Sequence, residues 1–225
     1  MTALAAREAY RLWAPSYSAE NAVTCLEQRL VDALGPAPAG LRLLDVGCGT
    51  GRRLVGTGAA RAIGVDLSPE MLATGRLELG FGPEVQLQLG DARTLRLPDG
   101  AFDLVWCRLM VGHLDECRRL YRELGRVVRI GGRVIVTDFH SAAHAAGHRR
   151  TFRHDGAVLE VEHHVHPEKE QLAAAAAAGL TLVASEQAAI GPEVRRFYLE
   201  AGREAAYEEQ QGLPVVQALA FRRDG

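Results

Sequence analysis

Residues 41–51 read LRLLDVGCGTG, and this stretch decides the fold. An apolar run around one acidic residue, Asp45, leads into a loop of alternating glycines: Gly47, Gly49 and Gly51. The pattern is typical of a buried strand that enters a glycine turn and then opens a helix. Glycine permits backbone angles that a side chain forbids, and it lets a ligand lie against the main chain. The stretch therefore predicts a ligand-binding turn, and a tight turn without a ligand remains the alternative.

Composition sets limits on the class of protein. The 225 residues are 48% hydrophobic, which is enough to bury a full core. A net charge of −2 gives no general electrostatic attraction to nucleic acid or to an anionic membrane. Four scattered cysteines without a framework predict reduced thiols. The sequence shows neither a signal peptide nor an apolar run of membrane-spanning length, and we expect a cytoplasmic location.

Apolar segments alternate with helical segments over the first 140 residues. Strands are predicted at 41–46, 62–66, 85–89, 102–107 and 133–137. This alternation predicts a parallel sheet with helices on both faces. Beyond it, the predicted elements are a β-hairpin over 151–166, a helix over 167–178 that ends at Gly179, a strand over 180–185, a helix over 192–210 and a strand over 215–221.

The N-terminal segment carries an aromatic stripe. Residues 2–34 are predicted to be helical with a break near Pro15, and the stripe consists of Tyr10, Trp13 and Tyr17. The spacing of three and four places these rings on one face of a helix or of a helix and its turn. The stripe is either part of the core or a cover over a ligand.

Several motifs together resemble one enzyme family. They are LLDVGCGTG, an acid at Asp66, the pair Gly90-Asp91, and the fourth and fifth strands FDLVWC and GGRVIVTD. The set is similar to the class I S-adenosylmethionine-dependent methyltransferases, in the branch that acts on small molecules. Nicotinamide enzymes normally show G-x-G-x-x-G, whereas here the glycines alternate strictly and an acid precedes them.

The resemblance implies a fold. It is an α/β Rossmann-like three-layer sandwich whose seven-stranded sheet is mostly parallel, with the last strand inserted antiparallel beside the fifth. One domain over residues 1–225 would contain a helical lid (1–38), a cofactor-binding core (39–140), an insertion with the hairpin (141–166) and the C-terminal part of the core (167–225).

The resemblance also implies an enzyme that binds S-adenosyl-L-methionine and releases S-adenosyl-L-homocysteine. The residues expected to bind this cofactor are Asp45, Gly47, Cys48, Gly49, Gly51, Asp66, Leu67, Met71, Asp91, Ala92, Cys107, Tyr10 and Tyr17. Within this set, Asp66 would accept from the ribose hydroxyls and Asp91 from the adenine amino group. The aromatic stripe resembles a lid of small-molecule members, which favours the cover over the core.

The acceptor side is less specified. Expected pocket residues are Trp13, Arg108, His144 and His164, and expected bases are His140 and His113. Histidine titrates near neutral pH and is the natural base for a phenol, enol or amine. Methyl transfer from a sulfonium needs a base only if the acceptor must lose a proton.

A histidine-rich run at 160–166 raises the question of a metal. In an extended strand, one face would carry Glu160, Glu162, His164 and His166. Two carboxylates and two imidazoles suit a divalent ion. No second segment with metal-ligand spacing supports this, so no metal is predicted and a solvated hairpin face is favoured.

Nucleic acid is disfavoured as the acceptor. The fourth strand ends in Val105-Trp106-Cys107-Arg108, without the N/D-P-P-Y/W tetrad of amino-directed DNA enzymes, and no Pro-Cys pair or basic stripe is present. We expect a small-molecule acceptor and no membrane partner, and the sequence does not set the oligomeric state. Two alternatives remain: a protein that binds S-adenosylmethionine without transferring its methyl group, and a nicotinamide-dependent oxidoreductase.

Overall fold

The computed structural model describes residues 3–17 and 19–225. The strands of this part of the chain are β1 (Arg42–Val46), β2 (Arg61–Asp66), β3 (Val85–Leu89), β4 (Phe102–Arg108), β5 (Val128–Phe139), β6 (Thr151–His154), β7 (Ala157–Glu160), β8 (Leu180–Ala189) and β9 (Pro214–Arg223). The α-helices are α1 (Ala6–Trp13), α2 (Ala22–Leu34), α3 (Pro69–Glu78), α4 (Arg118–Val127), α5 (Ser141–Ala145), α6 (Glu168–Ala177), α7 (Arg195–Glu200) and α8 (Glu204–Gln210).

Seven strands form the main sheet in the order β3-β2-β1-β4-β5-β9-β8. The first five pair in parallel, whereas β9 runs antiparallel to both of its neighbours, β5 and β8. This confirms the predicted fold, including the inserted last strand. Because β1 lies between β2 and β4, the glycine loop leaves the sheet from the middle of its carboxyl edge, where α/β proteins bind ligands.

Local signals in the sequence explain several helix ends. The Asn21 side chain accepts from the backbone N–H of Thr24, and the Thr24 hydroxyl accepts in return from the N–H of Asn21, which closes a capping box before α2. The Ser68 side chain caps α3 by accepting from the N–H of Met71, with Pro69 at the first helical position. Gly179 follows α6 with a φ of +73°, a left-handed conformation that glycine adopts without strain.

Three predicted elements differ from the structure. The predicted helix over 192–210 is wrong: it is broken into a 3-10 turn, α7 and α8, and Gly202 with a φ of +65° separates the two helices. The hairpin ends at Glu160, because Val161 bridges to Leu4 instead of continuing the ladder. The helix after the glycine loop is a single 3-10 turn, Arg52–Leu54. The predicted helical segment 2–34 begins outside the described residues.

The hairpin and α1 pack on each other. The Trp13 ring stacks on Phe152 of β6 with ring centroids 5.1 Å apart and planes 12° from parallel. Ala9, Phe152 and Val161 are the buried centre of this small cluster. The N-terminal helix and the inserted hairpin therefore form one layer above the sheet edge. Among the described helices, none combines the length and the apolar character needed to cross a membrane.

Candidate active site

The glycine loop adopts the conformation for which glycine is required. Gly47, Gly49 and Gly51 have φ values of +75°, +59° and +76°, in the left-handed region that side chains disfavour. The backbone N–H groups of Gly47 and Cys48 both donate to the carbonyl of Val65, at 2.8 and 3.1 Å. The end of β2 thus fixes the path of the loop.

Asp66 connects that loop to the next helix. One carboxylate oxygen accepts from the N–H of Gly49 at 2.7 Å, and the other accepts from the N–H of Ser68 at 2.9 Å. Burial raises the pKa of Asp66, and the backbone donors act against that rise. Each oxygen keeps a second lone pair, so the fixed carboxylate has capacity to accept from a ligand.

A cavity of about 160 Å³, the loop cavity, lies against this loop. Nine of the residues expected to bind a cofactor line it: Gly47, Gly49, Asp66, Leu67, Met71, Asp91, Ala92, Tyr10 and Tyr17. The structure therefore brings these nine positions together around one cavity. Motif reasoning did not identify Met110, whose side chain lies directly on Gly47 and would collide with any Cβ placed there.

Four of the expected residues lie outside the lining of the loop cavity: Asp45, Cys48, Gly51 and Cys107. Cys107 is fully buried in the core, and the sulfur of Cys48 packs on Gly64. Gly51 lies against Leu87. Asp45 and Cys107 lie in β1 and β4, where successive side chains alternate between the two faces of the sheet, so packing sets the face that each takes.

Asp45 is the most unusual of these four. The residue is 1% exposed, and its Oδ1 has no hydrogen-bond partner within the described residues. Burial raises the pKa of Asp45 to about 6, although the positive charges of Arg108 and Arg53 act in the opposite direction. A buried acceptor without a donor is costly, and a cationic or N–H-bearing ligand group would satisfy it.

Asp91 is already engaged by a neighbouring arginine. The guanidinium of Arg93 donates to both carboxylate oxygens, with the shortest N···O distance at 2.8 Å. This hydrogen bonding holds the pKa of Asp91 below its ordinary value. The two side chains line the loop cavity together, which the sequence pattern did not predict for Arg93.

Arg108 is held by a buried ion pair. Its Nε and Nη2 donate to the two oxygens of Glu27, each at 2.7 Å, and Arg53 contacts the same carboxylate at 2.7 Å. Burial disfavours the charge on Glu27, but Arg53 and Arg108 lower its pKa. The expected place of Arg108 was the acceptor pocket. It lines the loop cavity instead, with its guanidinium committed to α2.

A second cavity of about 540 Å³, the lid cavity, adjoins the first. The two share three wall residues, Tyr10, Tyr17 and Leu109. Leu109 has a φ of +55°, which is uncommon for a residue with a side chain and clusters at functional sites. Trp13 lines the lid cavity, as expected for an acceptor pocket.

His113 lies beside the shared wall, in contact with α1. Its Nε2 is 2.9 Å from the Tyr10 hydroxyl oxygen, and it lines the loop cavity. Burial lowers the pKa of His113 well below its ordinary value, so the ring is neutral at pH 7. Of the two expected bases, His113 is therefore the one that lines a cavity, the loop cavity.

The other expected histidines are placed elsewhere. The Nδ1 of His140 accepts from the N–H of Ala142 and caps α5, so its ring is used in the helix start. His140, His144 and His164 do not line either cavity. His163, which was not singled out, packs edge-on against His113 with ring centroids 6.2 Å apart. Burial lowers its pKa to about 4.

The four residues of the histidine-rich run do not form one face. His164 lies near Glu162, with Nε2 and Oε1 3.6 Å apart. The Nε2 of His166 is 2.8 Å from the carbonyl of Leu114, and its other nitrogen lies 3.8 Å from Glu170. Because β7 ends at Glu160, the alternation that would align the four side chains is lost.

A separate groove of about 580 Å³ lies between α2 and the turn after the glycine loop. Arg53, Arg108 and Trp106 line it, but no residue of 47–51 does. The glycine loop on which a ligand would rest therefore does not line this groove, although Arg108 lines both the groove and the loop cavity.

Known protein families and relatives match the segment of chain that forms this site. A family described as a methyltransferase domain covers residues 44–136, the segment that contains the glycine loop and Asp66. The curated 27-O-demethylrifamycin SV methyltransferase of Amycolatopsis mediterranei is 32% identical over 138 residues, which are 59% of this chain and 50% of that protein. The chain spans 34% to 51% of the length of this and two other curated relatives.

Solved structures share the fold over most of the chain. An S-adenosylmethionine-dependent methyltransferase from Mesorhizobium loti has a TM-score of 0.69 at 23% identity, covering 88% of this chain and 98% of that one. The [4+2]-cyclase SpnF has a TM-score of 0.60 at 25% identity, covering 87% and 81%. The first likeness is one of fold alone.

Proposed function

Because this chain contains a class I S-adenosylmethionine-dependent methyltransferase domain, we propose that it transfers the methyl group of this cofactor to a small molecule in the lid cavity. The observation that carries the proposal is the wall of Tyr10, Tyr17 and Leu109, which the loop cavity and the lid cavity share. A donor in one cavity and an acceptor in the other would meet across it. The volume of the lid cavity, about 540 Å³, is in the range of small-molecule sites and favours a small acceptor.

The residues of the site fit the cofactor chemically. Asp66 offers a fixed carboxylate for ribose hydroxyls, and the left-handed glycines leave the backbone open for close approach. Asp45 provides a buried oxygen without a partner within the described residues, which suits an ammonium group. When bound, the sulfonium supplies an already activated methyl group.

The chain's own task is alignment and exclusion of water. Tyr10, Trp13 and Tyr17 cover the edge where the cavities meet, and their rings contact one another. Holding donor and acceptor in line makes the reaction effectively unimolecular. The entropy cost of bringing two reactants together, a large part of the activation barrier, is then met by binding. Closure by aromatic rings also excludes water from the acceptor.

His113 and Tyr10 are the residues placed to move a proton. The Nε2 of a neutral His113 lies 2.9 Å from the hydroxyl oxygen of Tyr10, a residue that lines both cavities, and in the tautomer with its proton on Nδ1 it accepts from that hydroxyl. If the acceptor must lose a proton, Tyr10 can relay it to His113. The low pKa of His113 makes it a weak base, which suits an acceptor that is already acidic.

Binding and transfer are tested separately. Calorimetry with S-adenosylhomocysteine measures the donor site, and release of S-adenosylhomocysteine from S-adenosylmethionine in an acceptor screen measures transfer. We expect Asp66→Ala to lower the affinity for S-adenosylhomocysteine at least about tenfold, because charge-assisted hydrogen bonds to the ligand are lost. Asp66→Asn keeps the shape, and Asp32→Ala on the outer side of α2 is the matched control. Unchanged affinity in Asp66→Ala would refute the assignment, as would stabilisation by NADH instead.

A second candidate function is a reaction that uses the fold without methyl transfer. It is favoured by the likeness to SpnF, whose structure is described as that of a [4+2]-cyclase. The two candidate functions are distinguished by whether a methylated product forms. Methylated acceptor in the screen supports transfer, whereas conversion of an acceptor with no consumption of S-adenosylmethionine supports the alternative.

A further inference from the structure

The lid cavity has a one-sided charge. Its lining contains four arginines, Arg52, Arg149, Arg150 and Arg203, together with His148. No aspartate or glutamate is among the described residues that line it. Arginine remains charged at all ordinary pH values, so the charged side chains that line the cavity are of one sign.

Arg203 has no counter-ion of its own. It lies in the break between α7 and α8, and its guanidinium makes no hydrogen bond or ion pair within residues 3–17 and 19–225. Burial and the positive charge of Arg203 both lower the pKa of the nearby His148. Arg203 is therefore the arginine with most capacity for a ligand.

The guanidinium groups of Arg149 and Arg150 have only part of their hydrogen-bonding capacity occupied by the protein. The Nη1 of Arg149 donates to two backbone carbonyls, and its nearest carboxylate, Glu160, lies 3.8 Å away. Arg150 is 9% exposed and pairs with Asp138 at 3.1 Å, but its Nε has no hydrogen-bond partner among the described residues. A buried guanidinium nitrogen without a partner is costly, and an anionic oxygen from a ligand would satisfy it.

Aromatic side chains form another part of the wall. It includes Tyr10, Trp13, Tyr17, Phe139, Phe197 and Tyr198. Arg150 already lies over the Phe139 ring, with its guanidinium carbon 4.9 Å from the ring centroid. Flat aromatic walls favour a planar apolar body, and arginine favours carboxylate or phosphate oxygens.

We propose that the acceptor is an anionic molecule, with a carboxylate or phosphate group on a planar apolar body. Its acidic group binds at Arg203 and Arg149, and its reacting end lies toward Tyr10 and Leu109, the wall shared with the loop cavity. This inference rests on the proposed function, because it specifies the ligand of the same site. It accounts for the lack of aspartate and glutamate among the described residues that line the lid cavity.

The experiment uses the full chain saturated with S-adenosylhomocysteine and three matched probes. These are 1-naphthoate, 1-naphthyl phosphate and the neutral 1-naphthamide, and each is titrated by calorimetry. We expect both anions to bind and the amide to bind at least about tenfold more weakly, the factor for about 1.4 kcal/mol. The two anions separate a carboxylate site from a phosphate site by their relative affinity.

Variants assign the preference to the cavity. Arg203→Gln is expected to reduce binding of the preferred anion about tenfold and to leave the amide unchanged. Arg195→Gln removes a charge from an exposed arginine on α7 that pairs with Glu204 and does not line the lid cavity, and it should change nothing. Equal binding of anion and amide, no binding of either anion, or an unaffected Arg203→Gln would each overturn the inference.

Failure of this inference differs from failure of the proposed function. If S-adenosylhomocysteine itself does not bind, the proposed function fails. If it binds and the neutral probe is preferred, only the anionic acceptor is refuted.

Discussion

Tyr10 and His113 are 103 residues apart in sequence, and the phenol oxygen lies 2.9 Å from the imidazole Nε2. The bond joins α1 to the turn that follows β4, directly at the wall between the two cavities. Arg150 donates to the same phenol oxygen at 3.2 Å. Three separate segments of chain therefore meet at one hydroxyl, which makes the position of α1 dependent on it.

We expect Tyr10→Phe to lower the free energy of unfolding by about 1–2 kcal/mol. The change removes a half-buried hydroxyl and leaves the buried side chains of His113 and Arg150 without that partner, which is the costly kind of loss. Urea unfolding measures the difference. Tyr198→Phe is the control, since the described part of the chain gives that hydroxyl no hydrogen bond. An equal loss in both variants would show that the Tyr10 bond adds nothing.

His113 is expected to make stability depend on pH. Its folded pKa is well below the ordinary 6.5 because it is buried. As pH falls below about 6.5, the unfolded chain takes up a proton that the folded chain does not, so falling pH favours unfolding. The slope is at most about 1.4 kcal/mol per pH unit for one group.

Comparison of the wild type with His113→Gln isolates this group. Between pH 7 and pH 5 the wild type should lose about 1–2 kcal/mol more than the variant, measured by urea unfolding at each pH. His163, whose pKa is also lowered, is retained in both proteins, so the comparison reports the effect of replacing His113. Parallel pH profiles would contradict the assignment of a neutral, buried His113.

The sequence predicted the sheet and most of the loop cavity for a local reason. Alternating βα segments predicted a parallel sheet, and the family resemblance implied the place of the inserted last strand. The left-handed glycines and Asp66 sit within a short motif whose backbone geometry is locally determined. Such features need no knowledge of distant contacts. The break at Gly202 was missed because one glycine inside a helical pattern is often tolerated.

The lid cavity was predicted less well because it is assembled from distant segments. Arg150 and Arg203 belong to stretches without a motif, and only the fold brings them together. His140 shows the opposite error. Its position just after β5 indicated a base, but its ring accepts a backbone N–H and caps α5. Proximity to the sheet edge did not determine where the side chain points.

Glu27 is expected to be a large contributor to stability through its two arginines. Its carboxylate is 0% exposed and contacts Arg108 and Arg53, both at 2.7 Å. Glu27→Ala leaves two largely buried cations without a counter-charge, and such losses cost about 3–5 kcal/mol. Urea unfolding at neutral pH gives the value.

Glu20→Ala is the matched control for that change. Glu20 pairs with Arg196 on the surface, with both side chains more than half exposed, and surface pairs contribute less than about 1 kcal/mol. If the two variants lose similar stability, the buried cluster is no stronger than a surface pair.

Asp45 is expected to show the cost of keeping a binding site ready. Burial raises its pKa to about 6, so between about pH 4 and pH 6 the unfolded chain releases a proton that the folded chain retains. Rising pH through that window therefore destabilises the fold, and above it the penalty is constant at about 2–3 kcal/mol. Asp45→Asn removes the charge and should raise the free energy of unfolding at pH 8 by up to about 2 kcal/mol.

The same substitution should lower the affinity for S-adenosylhomocysteine, because the neutral amide cannot balance the charge of an ammonium group. Urea unfolding of the ligand-free protein from pH 4 to pH 8 gives the first effect, and calorimetry gives the second. The stability difference should grow between pH 4 and pH 6 and stay level above it. A less stable Asp45→Asn at pH 8, or one that binds S-adenosylhomocysteine as well as the wild type, would show that the unpartnered oxygen serves another role.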